Sequence, residues 1–419
     1  MRKIFLLIAF AISFNIYCQK HNQNFFTDIY SVPSSDSASQ FFYLYKIPVT
    51  SLIFSKDNES YTASIQITIE ISDSNSNFIQ RHFNDRKITF DDFSLTSDPN
   101  IYIEGVISFL FENKTIIITS NIFDANSQKD IFNKEQTVLK MKNEESDFLI
   151  PIILNDNVFK CGANNSRALP NFGGFIPFDN NSYDILIPST DTTLEKLFVK
   201  VISGKDTVFN SVLKRNDMEK IGFDECEGRI IITADSLSNP TSNFYLVHLT
   251  QKLKEGQFEI VVSKSESFQK KKSFRPIVKW LNKPRSLSDS ESAIKLLRFV
   301  INDDSIKQLL KSSDNYDSLL HRFWKKGDPS PNTEYNELIA EYYERVDYSV
   351  KNFSTITGLN GLETNRAKIY ILYGKPNSVE RGSNDDDKIS ETWTYSKLQK
   401  KFIFVDEKGT GEFILKNTL

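Results

Sequence analysis

Residues 323–346, FWKKGDPSPNTEYNELIAEYYERV, and residues 361–376, GLETNRAKIYILYGKP, carry more residues with an assignable backbone role than other parts of the chain. The Asp-Pro-Ser-Pro run must end one helix, because proline lacks an N–H and restricts the residue before it. Asn332 or Thr333 can cap the next helix, which is predicted to run to about Phe353. Apolar residues recur along it at steps of three and four, so one of its faces should be buried.

The second stretch combines β-favouring residues in its middle with helix signals at both ends. Thr364 or Asn365 can serve as the N-cap, Gly374 stands where a left-handed residue ends a helix, and Pro376 prevents continuation. We predict a short helix here, with a strand as the alternative. Three strands should follow, with the sequences ETWTY, KKFIFVDE and GEFILKN.

Short β-type runs dominate the chain upstream. Residues 61–71, YTASIQITIEI, place isoleucine at every second position, which is typical of a strand buried on one face. Two series of such runs, at residues 41–150 and 151–266, each fit an antiparallel β-sandwich of the Ig-like kind. One larger β structure is the alternative. The predicted fold class is mainly β, with two tandem sandwiches followed by a helical segment and a small α+β domain.

The remaining boundaries follow from composition. Residues 19–40 are polar and are predicted to be a flexible lead-in. Residues 267–284 contain a run of three lysines and are predicted to be a solvated linker. The α+β domain should therefore occupy residues 285–419, where Ser288 and Glu291 fit a capping box at the start of a helix.

The N-terminus, MRKIFLLIAFAISFNIYCQK, has two basic residues before an apolar run that is too short to cross a bilayer comfortably. Residues 1–18 are therefore predicted to be a signal peptide, and the mature chain should be exported to the periplasm or cell envelope. Lipidation of Cys18, giving an outer-membrane lipoprotein, is the less favoured alternative, because Asn-Ile-Tyr precedes it instead of small residues. No later segment approaches the length of a membrane span.

Cysteine count and charge limit the function further. Removal of the signal peptide leaves Cys161 and Cys226, which could form one disulfide or remain two buried thiols. The formal net charge of −3 argues against nucleic acid as the partner, because a phosphate-binding protein needs a basic surplus on one face.

No motif for a known chemistry is present. The four histidines are not within metal-ligand spacing of one another, so we predict no metal, cofactor or catalytic set. One alternative is a hydrolase or carbohydrate-acting enzyme whose carboxylates meet only in the fold, with Asp328, Glu337 and Glu341 as candidates. A carbohydrate-binding sandwich protein is another.

Several motif elements are shared with one family. They are Phe323, Trp324, Asp328, Pro329, Asn336, Tyr342, Tyr343, Arg345, Gly361, Thr364, Asn365, Tyr373, Gly374, Pro376, Trp393 and Tyr395. On these residues the C-terminal third resembles the GWxTD domain family of secreted or periplasmic proteins in Bacteroidetes-type bacteria. The naming motif is degenerate, since Leu362 replaces tryptophan and Asn365 replaces aspartate.

The resemblance implies no catalytic activity, and the degenerate motif favours a structural role. An aspartate that acts as a base loses its charge on becoming asparagine, whereas an N-cap loses little. We therefore expect the motif residues to be structural, with Phe323, Trp324 and Trp393 mainly in the core. The predicted function is a non-enzymatic envelope protein that binds or assembles with a protein partner through a surface that the sequence leaves unknown.

Overall fold

The structure is a computed structural model that describes residues 25–35, 37–112, 114–138, 147–162, 164–170, 173–235, 239–312, 315–383 and 386–418. The predicted signal peptide at residues 1–18, including Cys18, lies outside the described residues. The fold is mainly β, with helices concentrated near the C-terminus, as the sequence predicts.

Over its described residues, the first sandwich has eight strands in two antiparallel sheets. They are β1 (Phe26–Pro33), β2 (Ala38–Pro48), β3 (Ser55–Asp57), β4 (Ser60–Ser72), β5 (Phe78–Phe90), β6 (Tyr102–Glu112), β7 (Ile116–Asp124) and β8 (Lys129–Val138). One sheet has the order β1-β2-β6, and the other has the order β3-β4-β7-β8 with β5 also paired to β4. The alternating isoleucines of β4 are buried between the sheets, which confirms the predicted strand face.

The prediction of a flexible lead-in at residues 19–40 is wrong for the part that the structure describes, which begins at residue 25, while residues 19–24 lie outside the described residues. β1 pairs antiparallel with β2 over its whole length, from Phe26 opposite Lys46 to Pro33 opposite Ser39. Apolar side chains decide this, because Phe26, Tyr30 and Val32 are buried although the residues around them are polar. The first sandwich therefore begins at β1.

The second sandwich contains thirteen strands among the described residues. They are β9 (Ile152–Asn155), β10 (Val158–Cys161), β11 (Asn164–Arg167), β12 (Phe175–Pro177), β13 (Tyr183–Ser189), β14 (Lys196–Ser203), β15 (Asp206–Lys214), β16 (Asp217–Cys226), β17 (Arg229–Asp235), β18 (Thr241–Leu246), β19 (Gly256–Ser263), β20 (Lys271–Phe274) and β21 (Ile277–Lys279). The main sheets have the orders β17-β16-β18-β13-β9 and β12-β21-β19-β14-β15. β12 pairs parallel with β21, so this sandwich is not wholly antiparallel as predicted.

The prediction of a solvated linker at residues 267–284 is also wrong. β20 and β21 both pair with β19, and Val278 of β21 is buried in the core of the second sandwich. Lys271 is exposed on β20, so its charge stays in water while the backbone completes the sheet. The basic run is therefore part of an edge strand.

A separate hydrophobic core lies between the two sandwiches and contains residues of both. Tyr30 and Phe42, on the outer face of the first sandwich, pack against Phe223 of the second, with ring centroids 4.9 and 5.1 Å apart. Arg86 of β5 forms an ion pair with Glu225 of β16 across the same boundary. The β1-β2-β6 sheet is therefore covered on both faces, which explains why nearly every residue of β2 is buried.

A disulfide joins Cys161, at the end of β10, to Cys226, at the end of β16, with the Cα atoms 6.2 Å apart. It links the β10-β11 hairpin to the hairpin formed by β16 and β17. Of the two states that the sequence left open for these cysteines, the structure has the disulfide.

In the part of the C-terminal region that the structure describes, five α-helices pack against one antiparallel sheet. The helices are α1 (Ser290–Lys295), α2 (Asp303–Lys311), α3 (Tyr316–Lys325), α4 (Glu337–Phe353) and α5 (Asn365–Tyr373). The strands are β22 (Ser378–Ser383), β23 (Ile389–Tyr395), β24 (Lys400–Asp406) and β25 (Phe413–Thr418), in that order in the sheet.

The short helix predicted within residues 364–376 is confirmed, and so are the three final strands. Two cap predictions are wrong. Asn336, not Asn332 or Thr333, caps α4, and its Oδ1 accepts hydrogen bonds from the backbone of Leu338 and Ile339. Asp289 replaces the predicted Ser288 as the cap of α1, because its carboxylate accepts the Ser292 N–H.

Candidate functional site

A cleft of about 640 Å³ lies where the C-terminal domain meets the second sandwich. One wall is the face of α3 that carries Asp317, Ser318 and His321, all of which are exposed to solvent. The other wall consists of Phe178 and Trp280, from the second sandwich and the segment that leaves it. Ligand sites occur preferentially at such domain boundaries, so this cleft is the candidate functional site.

Three aromatic rings fix one end of the cleft. Tyr335 of the C-terminal domain lies against Phe178 and Trp280, with ring centroids 5.4 Å from each, and these two rings are 5.7 Å from each other. Beside them, the Glu334 N–H donates to the carbonyl of Gln251 at 2.8 Å. Burial is the main reason that the pKa of Tyr335 rises to about 12, so its hydroxyl is neutral at physiological pH.

Charges of both signs surround the cleft. Lys283 pairs with Glu255 at 2.8 Å on the sandwich side, and Lys325 pairs with Asp328 at 2.9 Å on the other. Lys325 also donates to the carbonyl of Pro331 at 2.8 Å. The cleft therefore has half-buried aromatic rings within a rim of paired charges.

The motif residues of α3 and α4 build the core beside this cleft. Trp324 contacts Tyr342 and Tyr343 with ring centroids 4.9 and 6.1 Å apart, and Phe323 packs edge-on against Trp324. The hydroxyl of Tyr343 donates to the carbonyl of Ala293 at 2.8 Å, deep in the domain. These side chains hold α1, α3 and α4 together.

The Asp-Pro element shapes the connection between α3 and α4. Asp328 accepts the Ser330 N–H at 2.9 Å in addition to its ion pair with Lys325. The Nδ2 of Asn336 is 3.4 Å from the carbonyl of Trp324, so one asparagine caps α4 and contacts the end of α3. Pro329 follows Asp328 in this turn, outside both helices.

Thr364 is the N-cap of α5, and its hydroxyl accepts the Ala367 N–H at 3.2 Å. Asn365 is therefore the first helical residue, and it is exposed. The explanation of the Asp-to-Asn change as an exchange of caps is wrong. Asparagine is tolerated at position 365 because its side chain is exposed in the first turn of the helix, where few packing constraints apply.

Gly361 lies where helix α4 approaches most closely. A Cβ atom at this position would be 2.1 Å from the carbonyl oxygen of Ser349, a backbone atom that cannot turn aside. Gly361→Ala should therefore lower the free energy of unfolding of the domain by about 1–3 kcal/mol, as overpacking does. Gly382→Ala is the control, because nothing lies within 4 Å of a Cβ there. Equal urea midpoints for the two variants would contradict this close approach.

Arg345 joins the end of α5 to helix α4. Its Nη1 donates to the carbonyl of Ile371 at 3.1 Å, and its Nη2 is 2.9 Å from the position that a Cβ on Gly374 would take. Gly374 has φ of 79° and its carbonyl accepts the Tyr395 hydroxyl at 2.8 Å. Tyr373 packs against Phe402 with centroids 5.3 Å apart, while Pro376 follows the turn.

A buried carboxylate organises the sheet side of the domain. Glu391 accepts hydrogen bonds from the indole of Trp393 at 3.1 Å and from Arg381 at 3.0 Å, and Arg366 approaches it at 3.5 Å. Arg366 also lies over the ring of Phe413, 4.1 Å from its centroid. Burial is the main reason that the pKa of Arg366 is lowered, and the charge of Glu391 opposes that shift.

The three candidate acids of the hydrolase alternative each have an intramolecular partner. Asp328 pairs with Lys325, Glu341 pairs with Arg345, and Glu337 accepts the Ser330 hydroxyl at 2.7 Å. Within the described ranges, no group of three or more His, Cys, Asp or Glu side chains is arranged to hold a metal ion.

The cleft residues gave no signal in the sequence. Phe178, Trp280 and Tyr335 are separated by long intervals and stand in three different types of segment, so only packing brings them together. Each motif residue could be recognised in the sequence. Their contact partners could not, namely Ser349 beside Gly361 and Glu391 beside Trp393.

The C-terminal part of the chain is thus a small α+β domain whose helices cover one face of a four-stranded sheet. Residues 260–416 match the family model of the GWxTD domain, which confirms the resemblance drawn from the motifs. The match begins within β19, so it includes Trp280 and strands β20 and β21 of the second sandwich. No curated protein matches the chain. In the part of the chain that the structure describes, no helix is long and apolar enough to cross a membrane.

Proposed function

We propose that this is an exported, non-enzymatic protein of the cell envelope that binds another protein through the cleft between the second sandwich and the GWxTD domain. The cleft itself is the observation that carries the proposal. It pairs an exposed helix face with half-buried Phe178 and Trp280, and it is rimmed by charges of both signs. Aromatic anchors within a polar rim are typical of protein interfaces.

The role of the motif residues supports binding in preference to chemistry. Their hydroxyls, carboxylates and amides are used to cap helices, to join α4 to its neighbours and to hold Trp393. Because these polar groups are used within the domain, its shape and its surface are what it can offer to a partner. α3 contributes that surface, since it is held in place by buried Leu319, Leu320 and Trp324 on its opposite face.

Two features support export. The basic residues followed by an apolar run at the N-terminus are the pattern of a signal peptide. The disulfide between Cys161 and Cys226 suits an oxidising compartment, because thiols in the cytoplasm are kept reduced. The periplasm or the cell envelope meets both conditions.

A substitution that fills the cleft tests the proposal. Ser318→Trp places a large side chain on the exposed face of α3 inside the cleft, and Gln308→Trp places the same side chain on exposed α2 as the control. We expect chemical cross-linking in intact cells, followed by purification and mass spectrometry, to recover an envelope protein with the wild type and the control. Ser318→Trp should reduce that recovery by about tenfold, equivalent to about 1.4 kcal/mol of binding free energy.

Circular dichroism shows whether both variants are folded. Undiminished recovery with a folded Ser318→Trp variant would refute the cleft as the binding surface. Turnover of a peptidoglycan or polysaccharide substrate by the purified protein would refute the non-enzymatic assignment.

A further inference from the structure

Two strand edges lie side by side at one end of the first sandwich. β1 ends the β1-β2-β6 sheet and β8 ends the other sheet, and among the described residues each is hydrogen-bonded to one neighbouring strand. Side chains connect the edges, because Lys134 of β8 donates to the hydroxyl of Thr27 in β1 at 3.0 Å. Phe25 also stacks on Phe132 with centroids 5.1 Å apart. Unpaired strand edges present backbone N–H and C=O groups that can pair with a further strand.

A groove of about 660 Å³ runs along these edges. Residues 28–31 of β1 and residues 136–138 of β8 line it as consecutive runs. Successive side chains in a strand point to opposite faces of the sheet, so a groove on one face would be lined by every second residue. Consecutive residues line the same groove only where that groove runs along the edge of the strand. The opposite wall belongs to the second sandwich and includes Ile150 and Phe274. Ile150 is 49% exposed.

Asp28 supplies a negative charge inside this groove. Arg275 also lines the groove, and its guanidinium lies 3.6 Å from the carboxylate of Glu259. Burial is the main cause that raises the pKa of its carboxyl to about 6, while a backbone hydrogen bond from Gly174 and the charge of Lys134 act in the opposite direction. The carboxyl is therefore ionised at pH 7.5 although the surrounding protein solvates it poorly. A cationic group that enters the groove would strengthen the charged form.

We propose that this groove binds an extended segment of a partner protein, which adds a strand to the edge of β1 and places a basic side chain against Asp28. Backbone hydrogen bonds along the edge would supply affinity, as in other cases of strand addition. The carboxylate and the apolar wall would supply the preference for a lysine or arginine flanked by β-branched residues. The groove is formed by the two sandwiches and stands apart from the α3 cleft, so failure of either proposal leaves the other standing.

Synthetic peptides test the groove with the full mature chain. The probe is a fluorescein-labelled peptide, Ser-Val-Thr-Val-Lys-Val-Thr-Val-Ser, and its matched forms carry glutamate or norleucine in place of lysine. A fourth form keeps the lysine but has N-methyl groups at alternate residues, which remove backbone donors. At pH 7.5 we expect fluorescence polarisation to show binding of the lysine peptide at least about tenfold tighter than the glutamate peptide, and loss of binding on N-methylation.

Substitution of the carboxylate assigns the preference to this groove. Asp28→Asn should reduce the difference between the lysine and glutamate peptides to about threefold or less, equivalent to about 0.7 kcal/mol. Asp130→Asn, an exposed position of β8 away from the groove, should leave the difference unchanged. The N-methylated peptide gives a second readout on the wild type if Asp28→Asn fails to fold.

Three results would overturn the proposal. They are absence of binding by the lysine peptide up to about 1 mM, equal binding of the lysine and glutamate peptides, and undiminished binding of the N-methylated form. A concentration-dependent dimer in sedimentation analysis, with no peptide binding, would assign the edge of β1 to a second copy of the chain instead.

Discussion

Replacing Glu391 with alanine should lower the free energy of unfolding of the GWxTD domain by about 3–5 kcal/mol, because it leaves a buried guanidinium without its counter-charge. Glu391 is 3% exposed and contacts Arg366, whose side chain is 11% exposed. The substitution also removes the acceptor for the indole N–H of Trp393, which is itself buried. A buried donor without a partner adds to the loss.

Urea unfolding followed by tryptophan fluorescence measures this effect, because Trp324 and Trp393 both lie in the core of the domain. Glu407→Ala is the control. Glu407 also binds two basic side chains, Lys388 and Lys416, but it does so at the surface, where solvent can replace them. Similar unfolding midpoints for Glu391→Ala and Glu407→Ala would contradict a buried ionic centre in the domain.

Removal of the disulfide should have the second large effect. Replacement of Cys161 and Cys226 by serine releases a closed loop with a sequence separation of 65 residues. The gain in conformational entropy of the unfolded chain corresponds to about 4 kcal/mol for a loop of that length. Thermal unfolding followed by circular dichroism, which reports on the β-rich sandwiches, should show a lower midpoint for the variant.

A reducing agent provides the matched control for this prediction. Dithiothreitol should lower the midpoint of the wild type toward that of the doubly substituted protein and should not change the latter. A wild-type midpoint that is the same with and without reductant, in a protein whose thiols titrate as oxidised, would show that the disulfide does not stabilise the second sandwich.

The sequence predicted elements whose signals are local. The isoleucine alternation of β4 needs only the two-residue period of a strand. The helix of residues 365–373 is specified by Thr364 at its start and Gly374 at its end, although its centre favours a strand. Motif recognition also located the GWxTD region, because motif residues such as Asn336, Gly361 and Trp393 can be read directly from a single sequence.

Errors arose where packing outweighed composition. Residues 26–33 are too polar on average to predict a strand, yet burial of Phe26, Tyr30 and Val32 places them in a sheet. The lysines of β20 indicate a solvated segment, but backbone pairing with β19 does not depend on side-chain polarity. Contacts with distant residues decided both segments.

The sequence by itself determined a mainly β chain with a GWxTD domain at its C-terminal end, because periodicity, caps and motif residues act over a few positions. Only the tertiary structure decided that the sandwiches share a core, that Glu391 holds Trp393, and that Tyr335 meets Phe178 and Trp280 at a cleft. The edges of β1 and β8 likewise come together only after both sheets have formed. Surfaces that bind partners depend on such long-range neighbours, and no local pattern in the sequence records them.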